Sequence, residues 1–240
     1  MSQHISRKEL KKDEFRETLV HGAEAALSHQ RMIWIIGGTA LAVLLLVFGW
    51  RFYSERQGVM ASAGLDEAMK IFQARIRAAG EPEDPLEVTY LAEKNKFEDA
   101  AKKFSEVAAN YPRTRQGRTA RYYAGLSYDR LDKHDDAQRE LRAVESSGDA
   151  ELTALARLAL AQSFERTGKG EDAVKAYRLL IEHPSTMVPR SIAMLRLAEY
   201  YRRSNAAEAA KLYEEIKKDY PDTTLAERAE ERLAALKPKS

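Results

Sequence analysis

An all-α fold, one N-terminal transmembrane helix followed by an α-solenoid of paired helices, is what the sequence predicts, on three observations. Residues 32–50, MIWIIGGTALAVLLLVFGW, hold no charged side chain, and Arg31 and Arg51 stand at the two ends. Four later segments repeat one pattern of small, large and aliphatic residues at intervals of 37, 36 and 36. Nothing alternates with period two over more than a few residues, so strand signals are almost absent.

Taken in chain order, residues 1–31 are a polar tail with six Lys or Arg and five acids, in which Phe15, Leu19, Ala23 and Leu27 mark a short amphipathic helix. The apolar run that follows is 19 residues long. At about 1.5 Å per residue it reaches ~28 Å, close to the ~30 Å hydrocarbon thickness of a bilayer. A cleaved signal has a shorter apolar region and a small-residue site just beyond it. Here the only such pattern, Ala61-Ser62-Ala63, lies too far downstream. Trp34 at one end and Trp50, Phe52 and Tyr53 at the other suit the two interfaces, so residues 32–53 read as a transmembrane helix. Charge leaves its orientation open. Within about twenty residues of the span, Lys12, Arg16 and Arg31 balance Arg51, Arg56 and Lys70. The whole tail leans towards a cytoplasmic N-terminus.

Residues 54–96 read as a membrane-proximal helix with a connecting segment. Leu65, Met69, Phe72 and Ile76 form its stripe, and the acidic, proline-containing loop 80–85 breaks it. In residues 97–221 the repeats align on Ala100, Ala137, Ala173 and Ala209. Four residues later stand Phe104, Leu141, Tyr177 and Tyr213, and three further on Val107, Val144, Leu180 and Ile216. Positions i, i+4 and i+7 share one helical face, so each segment buries a small–large–aliphatic stripe. Pro112, Pro184 and Pro221 close three of these helices, and Ser146-Ser147-Gly148 closes the fourth. A partner helix precedes each of the last three, with Ala124-Gly125 before Tyr128, Leu160-Ala161 before Phe164, and Leu197-Ala198 before Tyr201. Residues 222–240 hold a capping helix, marked by Leu225, Ala229, Leu233 and Leu236, and a tail.

Composition excludes several functions. Residues 51–240 carry 33 basic and 32 acidic side chains, which leaves no polyelectrolyte attraction for nucleic acid. There is no cysteine, hence no disulfide, thiolate metal site or cysteine nucleophile. The five histidines fall in no zinc-binding spacing, and no G-x-S-x-G occurs. Thr167-Gly168-Lys169-Gly170 lacks the spacing of a phosphate loop and reads as a turn. An acid precedes each small residue (Asp99, Asp136, Asp172 and Glu208), and carboxylate pairs such as Asp135-Asp136 read as helix starts, where acids favour the helix dipole. No catalytic residue, cofactor or metal is predicted, and the protein is not expected to be an enzyme.

The motif Leu-Gly…Tyr…Gly…Ala…Phe/Tyr…Ala…Pro resembles the tetratricopeptide repeat over residues 97–221. It departs from that pattern in a period nearer 36 than 34, and in a last turn one residue short, since Tyr201 to Ala209 is eight residues where Tyr128 to Ala137 is nine. The layout of the whole chain, with its single span ending GWRFYSERQ, resembles the bacterial inner-membrane family of the ancillary Sec translocon subunit. The Tyr-Pro endings are similar to those of periplasmic outer-membrane assembly factors and of the cell-division coordinator. The resemblance implies a cytoplasmic N-terminus, repeats in the periplasm, and protein partners such as the translocon, chaperones or translocating chains.

Two arginine groups are candidate binding elements. Arg113, Arg115, Arg118 and Arg121 lie beside Tyr122 and Tyr123. Arg130, Arg166 and Arg202 recur at intervals of 36 on the inner helices, as a ladder along a peptide-binding groove. Asp129, Gln162, Glu165, Met194 and Tyr201, with the two tyrosines, are its expected neighbours. The predicted function is a membrane-anchored, non-enzymatic protein-binding scaffold, ancillary to protein translocation or envelope chaperoning. The alternatives are a cytoplasm-facing docking receptor and an envelope or cell-division assembly scaffold.

Overall fold

The computed structural model describes residues 30–82 and 84–236; the tail helix read at Phe15–Leu27 lies outside them. Helix α1 (Gln30–Gln73) opens the described chain. It is long and apolar enough to cross a membrane, with a mean hydropathy of 1.9 over its most apolar window and none of that window buried. Leu44, Phe48 and Trp50 are among the exposed side chains.

The compact unit beginning at Gln57 is built of antiparallel helix pairs. The end of α1 pairs with α2 (Glu93–Asn110), α3 (Arg115–Arg130) with α4 (His134–Glu145), α5 (Ala150–Arg166) with α6 (Gly170–Glu182), and α7 (Arg190–Ser204) with α8 (Ala206–Asp219). Helix α9 (Thr224–Leu236) closes the stack. The aligned columns are the core: Ala100, Ala137, Ala173 and Ala209 have no exposed surface, and the large residues four positions on are sealed with them. Each hydrophobic cluster is shared among consecutive helices. One joins Ala68 of α1, Phe104 of α2 and Ala124 of α3, and the last joins Met194 of α7, Tyr213 of α8 and Ala229 of α9. This nearest-neighbour packing is that of a solenoid. Helices α2, α6 and α8 stop one residue short of Tyr111-Pro112, His183-Pro184 and Tyr220-Pro221, because a residue before proline is steered out of the α region.

Two features depart from the sequence reading. The stripe expected to run through Ile76 ends with the helix at Gln73, and Arg75–Ile76 (β1) instead pairs in parallel with Thr89–Tyr90 (β2). Glu81 and Glu87 converge on the Arg75 guanidinium, at 2.6 and 3.1 Å, and draw the acidic loop back over this short ladder. The turns also differ in kind. After α5, Gly168 takes φ +71°, Lys169 N–H donates to Phe164 O at 2.9 Å and Gly168 N–H to Glu165 O, which is a Schellman closure. After α3 the same closure is made by Asp132 at φ 58°. After α7 there is no such residue: Asn205 both ends α7 and caps α8, accepting a hydrogen bond from the Glu208 N–H at 3.3 Å.

An L-residue in the left-handed region costs energy that glycine avoids. Asp132→Gly should therefore stabilise the domain by about 1 kcal/mol, read as a raised urea midpoint. Among the described residues the one ion-pair partner within reach, the His134 imidazole at 3.8 Å, is too loose to offset this. A lowered midpoint would show that the aspartate supports the turn.

Candidate functional site

The first helices of successive pairs lie side by side, α3 against α5 and α7 against α9, and form the inner face. The structure scatters the residues expected to line a groove there. Met194 is fully buried among Ala198, Tyr213 and Ile216, so it belongs to the core and not to a groove. The cause is register: Met194 stands four residues before Ala198, on the apolar stripe itself. Tyr123 stacks on Phe104 with centroids 5.3 Å apart, and Tyr122 packs on the Leu141 cluster. Burial pushes the Tyr122 phenol up to about 12. Tyr201 packs between the last two clusters. Of the arginines beside the tyrosines, Arg115 faces Asp149, Arg121 faces Glu140, and Arg118 donates to the Arg113 carbonyl.

The ladder is not a row of equivalent free cations. The Arg130 guanidinium lies 5.5 Å from the Phe97 ring centroid. Arg166 pairs with Asp129, whose other oxygen is 3.0 Å from His134 Nδ1. Arg202 turns back to Glu199, at 3.2 Å. The expected third rung is also one position out of register. Tyr128 and Phe164 are 36 apart but Phe164 and Tyr201 are 37 apart, so Arg203, not Arg202, corresponds to Arg130 and Arg166.

Arg203 does line a concavity of about 390 Å³ on the inner face, with Gln162, Glu165 and Arg166 of α5. Helix α7 adds Arg196 and Glu199, and α9 adds Arg228 and Arg232. The Tyr177 phenol closes the site from α6, donating a 2.5 Å hydrogen bond to Glu165; burial, then this bond, holds the phenol far above its usual range. Arg232 Nε stands 3.0 Å from Glu199. Five guanidinium groups thus face two carboxylates. Sequence reasoning found Gln162, Glu165 and Arg166 here and missed the arginines of α7 and α9, of which only Arg203 had a signal, the period of the inner helices. Among the described residues no group of acids and histidines could hold a metal ion. Guanidinium, carboxylate and amide groups on helices are able to hold a ligand by charge and hydrogen bonds.

Comparisons agree with this architecture. The sequence model of the family described as "Tetratricopeptide repeat-like domain" matches residues 30–186, and that of "Tetratricopeptide repeat" matches residues 192–223. No curated protein matches the chain. Among solved structures, the TPR-like repeats of a kinesin light chain from Podosopora anserina are 14% identical with a TM-score of 0.50, over 60% of this chain and 79% of that one, a likeness of fold alone. Repeats of this kind are generally non-catalytic scaffolds for protein–protein interaction. With its model matched over more than half of the sequence, the tetratricopeptide repeat-like domain family is the one to which this chain belongs.

Proposed function

We propose that the protein is a single-pass membrane scaffold. Its repeats bind other proteins in the periplasm of a bacterium, in aid of protein translocation or envelope chaperoning, with the N-terminus in the cytoplasm. The observation that carries the anchoring is the helix face: every turn between Trp34 and Trp50 presents exposed apolar side chains, whereas the other described helices each bury an apolar stripe. A water-facing helix of that composition would be an unusually large aggregation surface. The inner face of the repeats offers charged and amide groups to a partner, and repeats of this kind are generally protein-interaction scaffolds. The periplasmic side, and the link to translocation or chaperones, rest on the resemblance of the layout.

Topology is the sharpest test. Alkaline phosphatase fused after Ser240 should be active in cells, and a fluorescent reporter that matures only in the cytoplasm should be dark at the same position. The opposite pattern would replace this reading with the cytoplasm-facing docking receptor. Cross-linking in intact membranes should then capture polypeptides on the repeats; labelling confined to lipid would overturn the scaffold reading.

A further inference from the structure

The arginines of the inner concavity differ in what already holds them. Glu199 is engaged through both oxygens, by Arg202 at 3.2 Å and Arg232 at 3.0 Å. Glu165 is taken by the Tyr177 phenol, and Arg166 by Asp129 on α3. That leaves Arg196 and Arg203 on α7 and Arg228 on α9. All three are exposed, line the same cavity, and have no carboxylate within salt-bridge distance among the described residues. Elsewhere on the described surface, arginines commonly face an acid, as Arg139 faces Asp136 at 2.7 Å and Arg190 faces both Glu215 and Asp219. The whole chain has a net charge of only +2. Here three guanidinium groups without an acid partner among the described residues line one concavity from two neighbouring helices.

We propose that this concavity binds an acidic segment of a partner polypeptide, with Asp or Glu side chains seated on Arg196, Arg203 and Arg228. The proposal rests on the protein-binding reading above and adds the chemistry of the partner. Guanidinium groups are planar forks that take carboxylates with paired hydrogen bonds. The cavity also presents Glu165, Glu199 and the Gln162 amide between its arginines. Those oxygens suit the N–H groups of a peptide backbone, and they repel a continuous run of phosphates. The alternation of signs thus favours a polypeptide carrying spaced carboxylates over nucleic acid or an anionic lipid surface. Exposed pairs are individually weak, so binding depends on several rungs together and falls as salt screens them.

The test uses the full chain in non-ionic detergent and a fluorescein-labelled peptide of alternating Glu and Ala, followed by anisotropy. The Glu peptide should bind, more weakly as salt is raised, and its Gln counterpart should not. The triple variant R196A/R203A/R228A should lose more than about tenfold in affinity, since each exposed pair contributes up to about fivefold. Its helicity should be unchanged, because none of the three is paired. Arg139→Ala, on an outer helix, should bind as the parent does. Equal binding of the Gln peptide, or undiminished binding by the triple variant, would overturn the proposal. So would displacement of the peptide by phosphatidylglycerol vesicles or single-stranded DNA at lower concentration than by unlabelled Glu peptide, which would make the site one for phosphates. Cross-linking in membranes separates the two readings. Partners still captured by the triple variant as by the parent would overturn the acidic-segment assignment alone, whereas a parent chain that captures no polypeptide would overturn the scaffold itself.

Discussion

Phe104→Ala should lower the stability of the repeat domain by about 3–5 kcal/mol, a large part of the ~5–15 kcal/mol typical of a domain. Phe104 is completely sealed, stacked on Tyr123 and edge-on to Phe72 with centroids 5.9 Å apart. It is thus a central member of the cluster that α1, α2 and α3 share. Removing the ring leaves a cavity that rigid helix backbones cannot close, so both the transfer and the cavity contributions are lost. Urea unfolding followed by circular dichroism would measure it, with Phe104→Leu recovering most of the loss. A deficit below about 1 kcal/mol would show that the end of α1 does not depend on this ring.

Ala173→Trp acts by the opposite mechanism and should cost about 3 kcal/mol or more. Ala173 has no exposed surface and lies against Leu141, Leu152 and Phe164. An indole there must push α6 off α4 and α5, since an interior packed to crystal density has no slack. Lys175→Trp, two residues along on the exposed side of the same helix, is the control and should fall within about 0.5 kcal/mol of the parent. Similar urea midpoints for the two variants would contradict the close approach of these helices.

The core was legible because its chemistry is local. A small residue, a large one a turn later and an aliphatic one after that can sit on one side of a helix in only one way, and all four copies of the stripe are buried. The site was less legible, for a reason visible in single residues. Reading a groove requires the angle of each side chain about its helix, and one position is about 100°. Counting Arg202 in place of Arg203 therefore chose a residue that folds back on Glu199 over one that lines the cavity. Met194 is close in sequence to groove residues, but its spacing from Ala198 places it on the buried stripe. Arg228 and Arg232 carried no signal, because α9 announces itself by its apolar residues, and proximity to α7 has no signature in sequence distance. The pairing of Arg75–Ile76 with Thr89–Tyr90 is likewise two residues long and beneath any periodicity.

The shared cap at Asn205 has a counterpart earlier in the chain. The outer stripe advances 36 residues from Ala173 to Ala209, whereas the inner one advances 37 from Ala161 to Ala198. The connection before α7 is thus one residue longer and the turn after it one residue shorter. In genetic terms these are two length changes of opposite sign, each the suppressor of the other. The longer connection is tethered as well: Glu151 accepts hydrogen bonds from the Thr186 and Met187 N–H groups, at 3.2 and 2.8 Å, and Val188 is buried. Restoring the missing residue at Asn205 alone would leave α7 and α8 out of step, and so would trimming the connection alone. Restored together, they would return the fourth repeat to the frame of the second and third. An exchange of this repeat for one of its neighbours therefore has to carry both connections with it.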